Sequence, residues 1–236
     1  MKTKIIIASL TTLLLQTTFA QITVPGTSNP WLAGMPNGTT TPGGDSVPAE
    51  SPVLVTGITI TGGAAYTFSA SGGVSVDPRL NLYPLSGPDG EAIDPASNIN
   101  GAENGIANIT VPLDALIGVF LGSTQPSLNP APSALDFSTL ASQNYLTLSP
   151  LLQQPFFIGD GLTSSGIVQQ VIAPAGATRL YLGMMDPGGY YNNVGSFTVE
   201  TPAVPVPEPN MAGAAAILLV AFGVCSRGAR KNVPTT

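Results

Sequence analysis

The central part of the chain alternates between apolar and polar positions, and clusters of Gly and Pro interrupt the alternation. The pattern is clearest in Val53–Thr61, Tyr66–Val76, Thr178–Met184 and Ser196–Glu200. Alternation of period two that ends at turn residues predicts half-buried β-strands. There is no amphipathic helical run and no internal repeat. The pattern therefore predicts one all-β domain of sandwich type over residues 53–202.

The segments beside and within this domain have a different pattern. Residues 21–52 are rich in Pro, Gly, Thr and Ser, which predicts an irregular lead-in. Trp31 is its one indole, and we expect it to dock on the domain, with stacking on a sugar as the alternative. Residues 122–149 contain several prolines and have the pattern of an insertion. Residues 203–209 form a Pro-rich stretch that predicts an extended stalk.

The first twenty residues have the pattern of a secretory signal peptide. Lys2 and Lys4 form a short basic region before the apolar stretch Ile5–Leu15. Thr18–Ala20 then supplies the small-x-small sequence of a cleavage site. We therefore assign residues 1–20 to a signal peptide and expect the mature chain to begin at Gln21.

Residues 210–226 are a second apolar segment, and residues 227–236 form a basic tail. A helix over the apolar run of about 15 residues would be roughly 22 Å long, which is shorter than the roughly 30 Å of a hydrocarbon core. The positive-inside rule places Arg227 and Arg230 in the cytoplasm and the bulk of the chain across the inner membrane. An ordinary single-pass anchor is the alternative interpretation.

A short motif precedes this apolar segment, and its members are Val206, Pro207, Glu208 and Pro209. The order of motif, short apolar run and basic end resembles the PEP-CTERM sorting signal of Gram-negative bacteria. The resemblance implies export, transient anchoring in the inner membrane, and processing by an exosortase-type enzyme. Delivery to the cell surface or the extracellular matrix would follow.

Charge and composition exclude several functions for the exported part. Outside the two end segments, Arg79 and Arg179 stand against thirteen acidic residues, which leaves a formal charge of −11. Nucleic acid is therefore not an expected partner. The chain has no His, and this part has no Lys or Cys, so the Ser-His-Asp, Cys-His and Ser-Lys arrangements are excluded. Glycosidases need only carboxylates and stay possible.

The densest polar cluster is the loop Asp186–Ser196, between two predicted strands. Calcium takes six to eight oxygen ligands from carboxylates, amides and backbone carbonyls. Glycines in this loop allow sharp turns, and two aromatic side chains offer faces to a sugar. The predicted calcium ligands are Asp186, Asn192 and Asn193, and the predicted ligand-binding aromatics are Tyr190 and Tyr191. A plain polar hairpin loop is the alternative.

The stretch Asp186–Val199 resembles the calcium loop and last strand of the bacterial galactose-specific lectins of the PA-IL type. The resemblance implies a galactose-binding-like, jelly-roll β-sandwich that holds Ca²⁺, with a backbone carbonyl near Val76 as a further ligand. It also implies a galactoside or an extracellular polysaccharide as partner. Gly189 stands where the family has a Thr ligand, and the family's sugar-contacting His has no counterpart.

A second acidic cluster comprises Asp89, Glu91 and Asp94 in a loop rich in Gly and Pro. Asp89 is a candidate sugar contact or metal ligand, and a solvated loop is the alternative.

Together these observations predict a non-enzymatic, calcium-dependent carbohydrate-binding protein. One alternative is a structural matrix protein without sugar binding. The other is a glycoside hydrolase that uses two carboxylates from the set Asp89, Glu91, Asp114, Asp160 and Asp186.

Overall fold

The computed structural model describes residues 21–200, so the predicted signal peptide, stalk, sorting segment and basic tail lie outside the described residues. The described chain is built almost entirely from short strands, which confirms the all-β prediction. The strands are β1 (Gln21–Pro25), β2 (Val53–Leu54), β3 (Ala65–Tyr66), β4 (Ala70–Ser75), β5 (Glu91–Ser97), β6 (Ile109–Leu113), β7 (Leu116–Leu121), β8 (Leu135–Asp136), β9 (Thr147–Leu148), β10 (Phe156–Phe157), β11 (Gln170–Ile172), β12 (Arg179–Met184) and β13 (Val194–Glu200). The helical elements are α1 (Leu140–Gln143) and the 3-10 turns Pro30–Leu32, Pro126–Leu128 and Tyr190–Asn192.

The strands form four small sheets of three or four strands each. Their orders are β1-β13-β4, β10-β7-β12-β2, β3-β11-β9 and β5-β6-β8. Most pairs are antiparallel, whereas β9–β11 and β6–β8 are parallel. Between residues 21 and 200, no helix is long and apolar enough to cross a membrane.

Strand β7 lies at the centre of the core. All six of its residues are buried, and it pairs with β10 on one side and β12 on the other. Phe156 is the register partner of Gly118, and a Cβ on Gly118 would lie only 2.7 Å from the Phe156 ring. The glycine therefore makes room for an aromatic ring across the strand pair. Phe156 in turn stacks on Phe120, with ring centroids 5.2 Å apart.

The N-terminal segment belongs to the folded domain, so the prediction of an irregular lead-in is wrong over Gln21–Pro25. This stretch is strand β1, which pairs antiparallel with β13 along its whole length. Trp31 is only 1% exposed, and its Nε1 donates a hydrogen bond to the Ala107 carbonyl at 3.1 Å. The docking prediction for Trp31 is confirmed, and stacking of this buried ring on a sugar is excluded.

Close packing of this segment on β12 depends on a glycine. A Cβ on Gly183 would lie 2.6 Å from the Ser28 carbonyl oxygen and 2.8 Å from the Pro30 ring. The Ser28 carbonyl accepts a hydrogen bond from the Met184 amide in the same region. The N-terminal segment thus lies directly against the end of β12, where the candidate calcium loop begins.

The segment predicted as an insertion, residues 122–149, also packs on the domain. Phe137 is buried, and its ring lies 5.9 Å from Phe157 and 6.1 Å from Tyr145. The Tyr145 hydroxyl donates a hydrogen bond to the Phe157 carbonyl at 2.7 Å. These contacts hold α1 beside β10 and so build one wall of a surface cleft.

Replacing Trp31 tests how far the N-terminal segment stabilises the domain. Trp31→Ala should lower the free energy of unfolding by about 3–5 kcal/mol, because it opens a cavity beside β7 and β12. Trp31→Phe should cost about 1–3 kcal/mol, because part of the ring remains but the Ala107 carbonyl loses its donor. Chemical denaturation followed by circular dichroism measures both. Leu128→Ala, at an exposed side chain, is the control, and an equal loss in this variant would contradict the prediction.

Candidate cation site and polar cleft

The loop between β12 and β13 is held by its own hydrogen bonds. Asp186 Oδ1 accepts from the Gly188 amide at 2.8 Å, and Gly189 adopts a left-handed conformation with φ of 91°. The Tyr190 hydroxyl accepts from the Asp186 amide at 3.1 Å and donates to the Asp186 carbonyl at 2.9 Å. These bonds close a tight turn that directs the Asp186 side chain into the protein, where it is 4% exposed.

The two loop tyrosines have opposite environments. Tyr190 is 1% exposed, so it presents no face to a ligand, and the prediction of a sugar contact there is wrong. Its ring fills the inside of the turn, and burial raises the pKa of its hydroxyl well above the ordinary value. Tyr191 is 65% exposed, and its ring stays available for contact with a ligand.

A buried carboxylate from the N-terminal segment fixes this loop from the other side. Asp45 Oδ1 accepts from the Tyr191 amide at 3.2 Å. Asp45 Oδ2 accepts from Asn29 Nδ2 at 2.9 Å and from the Thr41 hydroxyl at 3.4 Å. Burial raises the pKa of Asp45, while these donors lower it. The position of the 186–193 loop therefore depends on residues from the predicted lead-in.

Asp114 lies in the short turn between β6 and β7, beside the same loop. Its amide donates to the Met185 carbonyl at 2.9 Å, and its φ is 67°. The Ser86 hydroxyl donates to Asp114 Oδ2 at 2.9 Å, whereas Oδ1 is buried without a partner in the described part of the chain. Burial raises the pKa of Asp114 to about 7, and the charges of Glu91 and Asp186 act in the same direction.

Asn193 supplies a second buried oxygen that has no hydrogen-bond partner in the described chain. Its Nδ2 donates to the Gly26 carbonyl at 3.0 Å, so Oδ1 is the free atom. Burial raises the pKa of the neighbouring Asp186 to about 6, whereas the Gly188 amide and the Asn193 side chain lower it. The loop thus places an unpaired amide oxygen beside a buried carboxylate.

The backbone of β4 meets this group of oxygens. The register between β4 and β13 ends where Ser75 pairs with Val194, the residue after Asn193. The Val76 amide also faces the Asp114 carboxyl and lowers its pKa. Of the residues predicted to bind calcium, Asp186 and Asn193 are therefore brought together, and the Val76 backbone reaches Asp114 beside them. Asn192 lies in the adjacent 3-10 turn and is half-buried.

Sequence reasoning gave Asp114 only as a possible hydrolase carboxylate, although it belongs to this group. Its signal is a single acid between the apolar strands Ile109–Leu113 and Leu116–Leu121. Within residues 21–200, no three Asp, Glu, His or Cys side chains are placed to hold a metal ion. A cation at this place would therefore rely on amide and backbone oxygens as well as carboxylates, which is common for Ca²⁺.

Asp89 lies in a separate surface cleft rather than beside the calcium loop. Its Oδ1 accepts from the Asp160 amide at 2.9 Å, and Asp160 Oδ1 accepts from the Leu162 amide at 2.8 Å. Partial desolvation raises the pKa of Asp89, and the Asp160 charge adds to the effect. The cleft has a volume of about 450 Å³, and four segments line it: residues 89–90, 140–144, 157–160 and 162–166.

Searches with protein-family models and among curated proteins find no match for this chain. The resemblances to PEP-CTERM proteins and to calcium-dependent lectins stay predictions. The buried oxygen cluster around Asp186 and the Asp89–Asp160 cleft are the two features of the described chain that bear on function.

The raised pKa of Asp114 gives a pH dependence with a defined sign. Its folded-state pKa of about 7 exceeds the ordinary value of 3.8, so the folded protein binds a proton more tightly than the unfolded chain. The stability from this group is complete below pH 4 and is lost as the pH rises through 7. In chelator, the urea midpoint of the wild type should therefore fall over this range.

The urea midpoint of Asp114→Asn should fall less over the same pH range. At pH 8 this variant should therefore be more stable than the wild type. Asn is a fitting replacement because it tolerates the positive φ of this position. The exposed carboxyl of Asp136 serves as the control, and Asp136→Asn should follow the wild type. If the urea midpoint of Asp114→Asn changed with pH in parallel with that of the wild type, the raised pKa of Asp114 would be contradicted.

Proposed function

We propose that this protein is an exported, non-enzymatic glycan-binding protein whose all-β domain is stabilised by a buried Ca²⁺ ion. In this proposal the domain is a jelly-roll sandwich, and the PEP-CTERM-type signal delivers it to the cell surface or matrix after exosortase processing. A net acidic exported part without His, Lys or Cys supports binding rather than nucleophilic catalysis.

The unpaired buried oxygens are the observation that supports a cation. Asp114 Oδ1 and Asn193 Oδ1 lie within the protein without a donor from residues 21–200, and the carboxyl of Asp186 is buried beside them. Unpaired buried acceptors and closely spaced carboxylates are costly, and a hard cation removes both costs. The donor set of carboxylate and side-chain amide oxygens fits Ca²⁺.

The residues that would hold the ion are Asp114, Asp186 and Asn193, and the resemblance adds a backbone carbonyl near Val76. When bound, the ion would supply positive charge to this group and fix the loop against β4. Each of the three side chains is less than a tenth exposed. The ion would thus be shielded from a glycan, so its role would be to stabilise the fold rather than to coordinate sugar hydroxyls.

Calcium should raise the melting temperature of the purified full-length protein. At free Ca²⁺ about a hundredfold above Kd, mass action adds about 2.7 kcal/mol, which corresponds to roughly 5–10 °C for a domain of this size. The shift should be strongly reduced in Asp186→Asn and Asp114→Asn, because each removes a charged ligand. Differential scanning calorimetry with and without chelator measures it.

Asp136→Asn removes an exposed carboxylate outside the cluster and should retain the full calcium shift. Mg²⁺ should shift the melting temperature less, since it favours a smaller octahedral site. Calcium shifts of equal size in the wild type, Asp114→Asn and Asp186→Asn would contradict a site at these residues.

Processing at both ends is testable on protein isolated from its native host. Intact-mass and terminal-peptide mass spectrometry should find Gln21 as the first residue and should find no peptide beyond the Val206–Pro209 motif. Replacing Glu208 with Ala should leave the sorting segment attached and retain the protein in the inner membrane. A mature surface protein that still ends at Thr236 would contradict the sorting proposal.

A further inference from the structure

We propose that the Asp89–Asp160 cleft binds a cationic amino sugar, namely a hexosamine unit with a free ammonium group within an extracellular glycan. This inference rests on the proposed glycan-binding function and names its ligand class and its site. The cleft is distinct from the buried oxygen cluster around Asp186, and four chain segments converge on it. Three properties of its lining point to this ligand.

The first property is that the cleft walls use their own hydrogen-bond donors. The Ser164 amide donates to Asn144 Oδ1 at 2.7 Å, and Asn144 Nδ2 donates to the Ser164 hydroxyl at 3.0 Å. Gln143 Nε2 donates to the Phe137 carbonyl at 2.8 Å. One N–H of each side-chain amide in this wall is therefore engaged within the protein. A ligand that brings donors of its own suits such a wall.

The second property is an excess of acceptors without a compensating cation. Hydrogen bonds within the protein engage Oδ1 of Asp89 and Oδ1 of Asp160, so the Oδ2 atoms remain as acceptors. No Lys, Arg or His lines the cleft. Both arginines of the described chain are engaged elsewhere. Arg79 pairs with Asp77 at 2.6 Å, and Arg179 donates to the carbonyls of Gly122 and Thr124.

Positive charge must therefore come from the ligand. Residues 21–200 contain two basic and twelve acidic residues, so the field of the whole domain also attracts a cation. Placing the Asp160 charge next to Asp89 is unfavourable in the free protein. An ammonium group would relieve this repulsion and would make charge-assisted hydrogen bonds to both carboxylates.

The third property is an apolar rim, which favours an amino sugar over a bare metal ion as the ligand. Leu140 is 61% exposed and Leu162 is 38% exposed, and both line the cleft. A pyranose ring has an apolar face that contacts such side chains, whereas an inorganic cation gains nothing from them. The cleft volume of about 450 Å³ also lies within the range of small-molecule sites.

The test compares two oligosaccharides that differ at one position of each unit, which carries a free ammonium group in one and a neutral acetamide in the other. Isothermal titration calorimetry of the full-length protein, in chelator, uses a β-1,4-linked glucosamine tetramer and its fully N-acetylated form. The glucosamine tetramer should bind at least tenfold more tightly, and its affinity should fall as salt is raised. Asp89→Asn and Asp160→Asn should each weaken binding at least tenfold, since both keep the acceptor of the local hydrogen bond.

Asp136→Asn is the matched control and should bind like the wild type, because its carboxylate is exposed outside the cleft. Circular dichroism should show that all three variants fold. Equal binding of the two tetramers, or unchanged binding in both Asp89→Asn and Asp160→Asn, would overturn the proposal. Hydrolysis of the tetramer during the titration would overturn the non-enzymatic assignment.

The cleft and the cation site can fail separately. Loss of glucosamine binding with an intact calcium shift would overturn the cleft proposal alone. Retained glucosamine binding in a protein that shows no calcium shift would overturn the cation site alone and would support the cleft.

Discussion

The buried carboxylate of Asp45 connects the N-terminal segment to the loop after β12, and the candidate cation site depends on it. One oxygen accepts from the Tyr191 amide, and the other accepts from Asn29 and Thr41. Nearby, β1 pairs with β13. A carboxylate that is 1% exposed is tolerated because polar donors surround it. The same contacts hold the loop in the turn that buries the side chain of Asp186.

The carboxyl groups of the domain lie in two different environments. Around Asp186, carboxyls are withdrawn from water, and burial raises the pKa of Asp114 and of Asp186. At Asp89 and Asp160 the carboxyls border an open cleft, where solvent and ligands can reach them. A buried group affects stability most, whereas an accessible group affects recognition most. This contrast is why we propose calcium at the first place and a glycan at the second.

Several features followed from local patterns. Alternation of apolar and polar residues located β12 and β13. Strand β5, Glu91–Ser97, was missed because it contains Asp94 and Pro95 and has no apolar alternation; its partner β6 supplies the pairing. Strand β1 was missed for a related reason, since its partner β13 lies at the other end of the chain.

By itself, the sequence determined the all-β class, the charge balance, the absence of His, and the loop that carries Asp186 and Asn193. These properties depend on residue type and local order. Only the tertiary structure decided that Tyr190 is buried, that Asp114 joins Asp186, and that Asp89 lies beside Asp160 in a separate cleft. The physical reason is that burial and pairing depend on contacts between residues far apart in the chain. In this domain, those contacts are made by short strands whose partners no local pattern specifies.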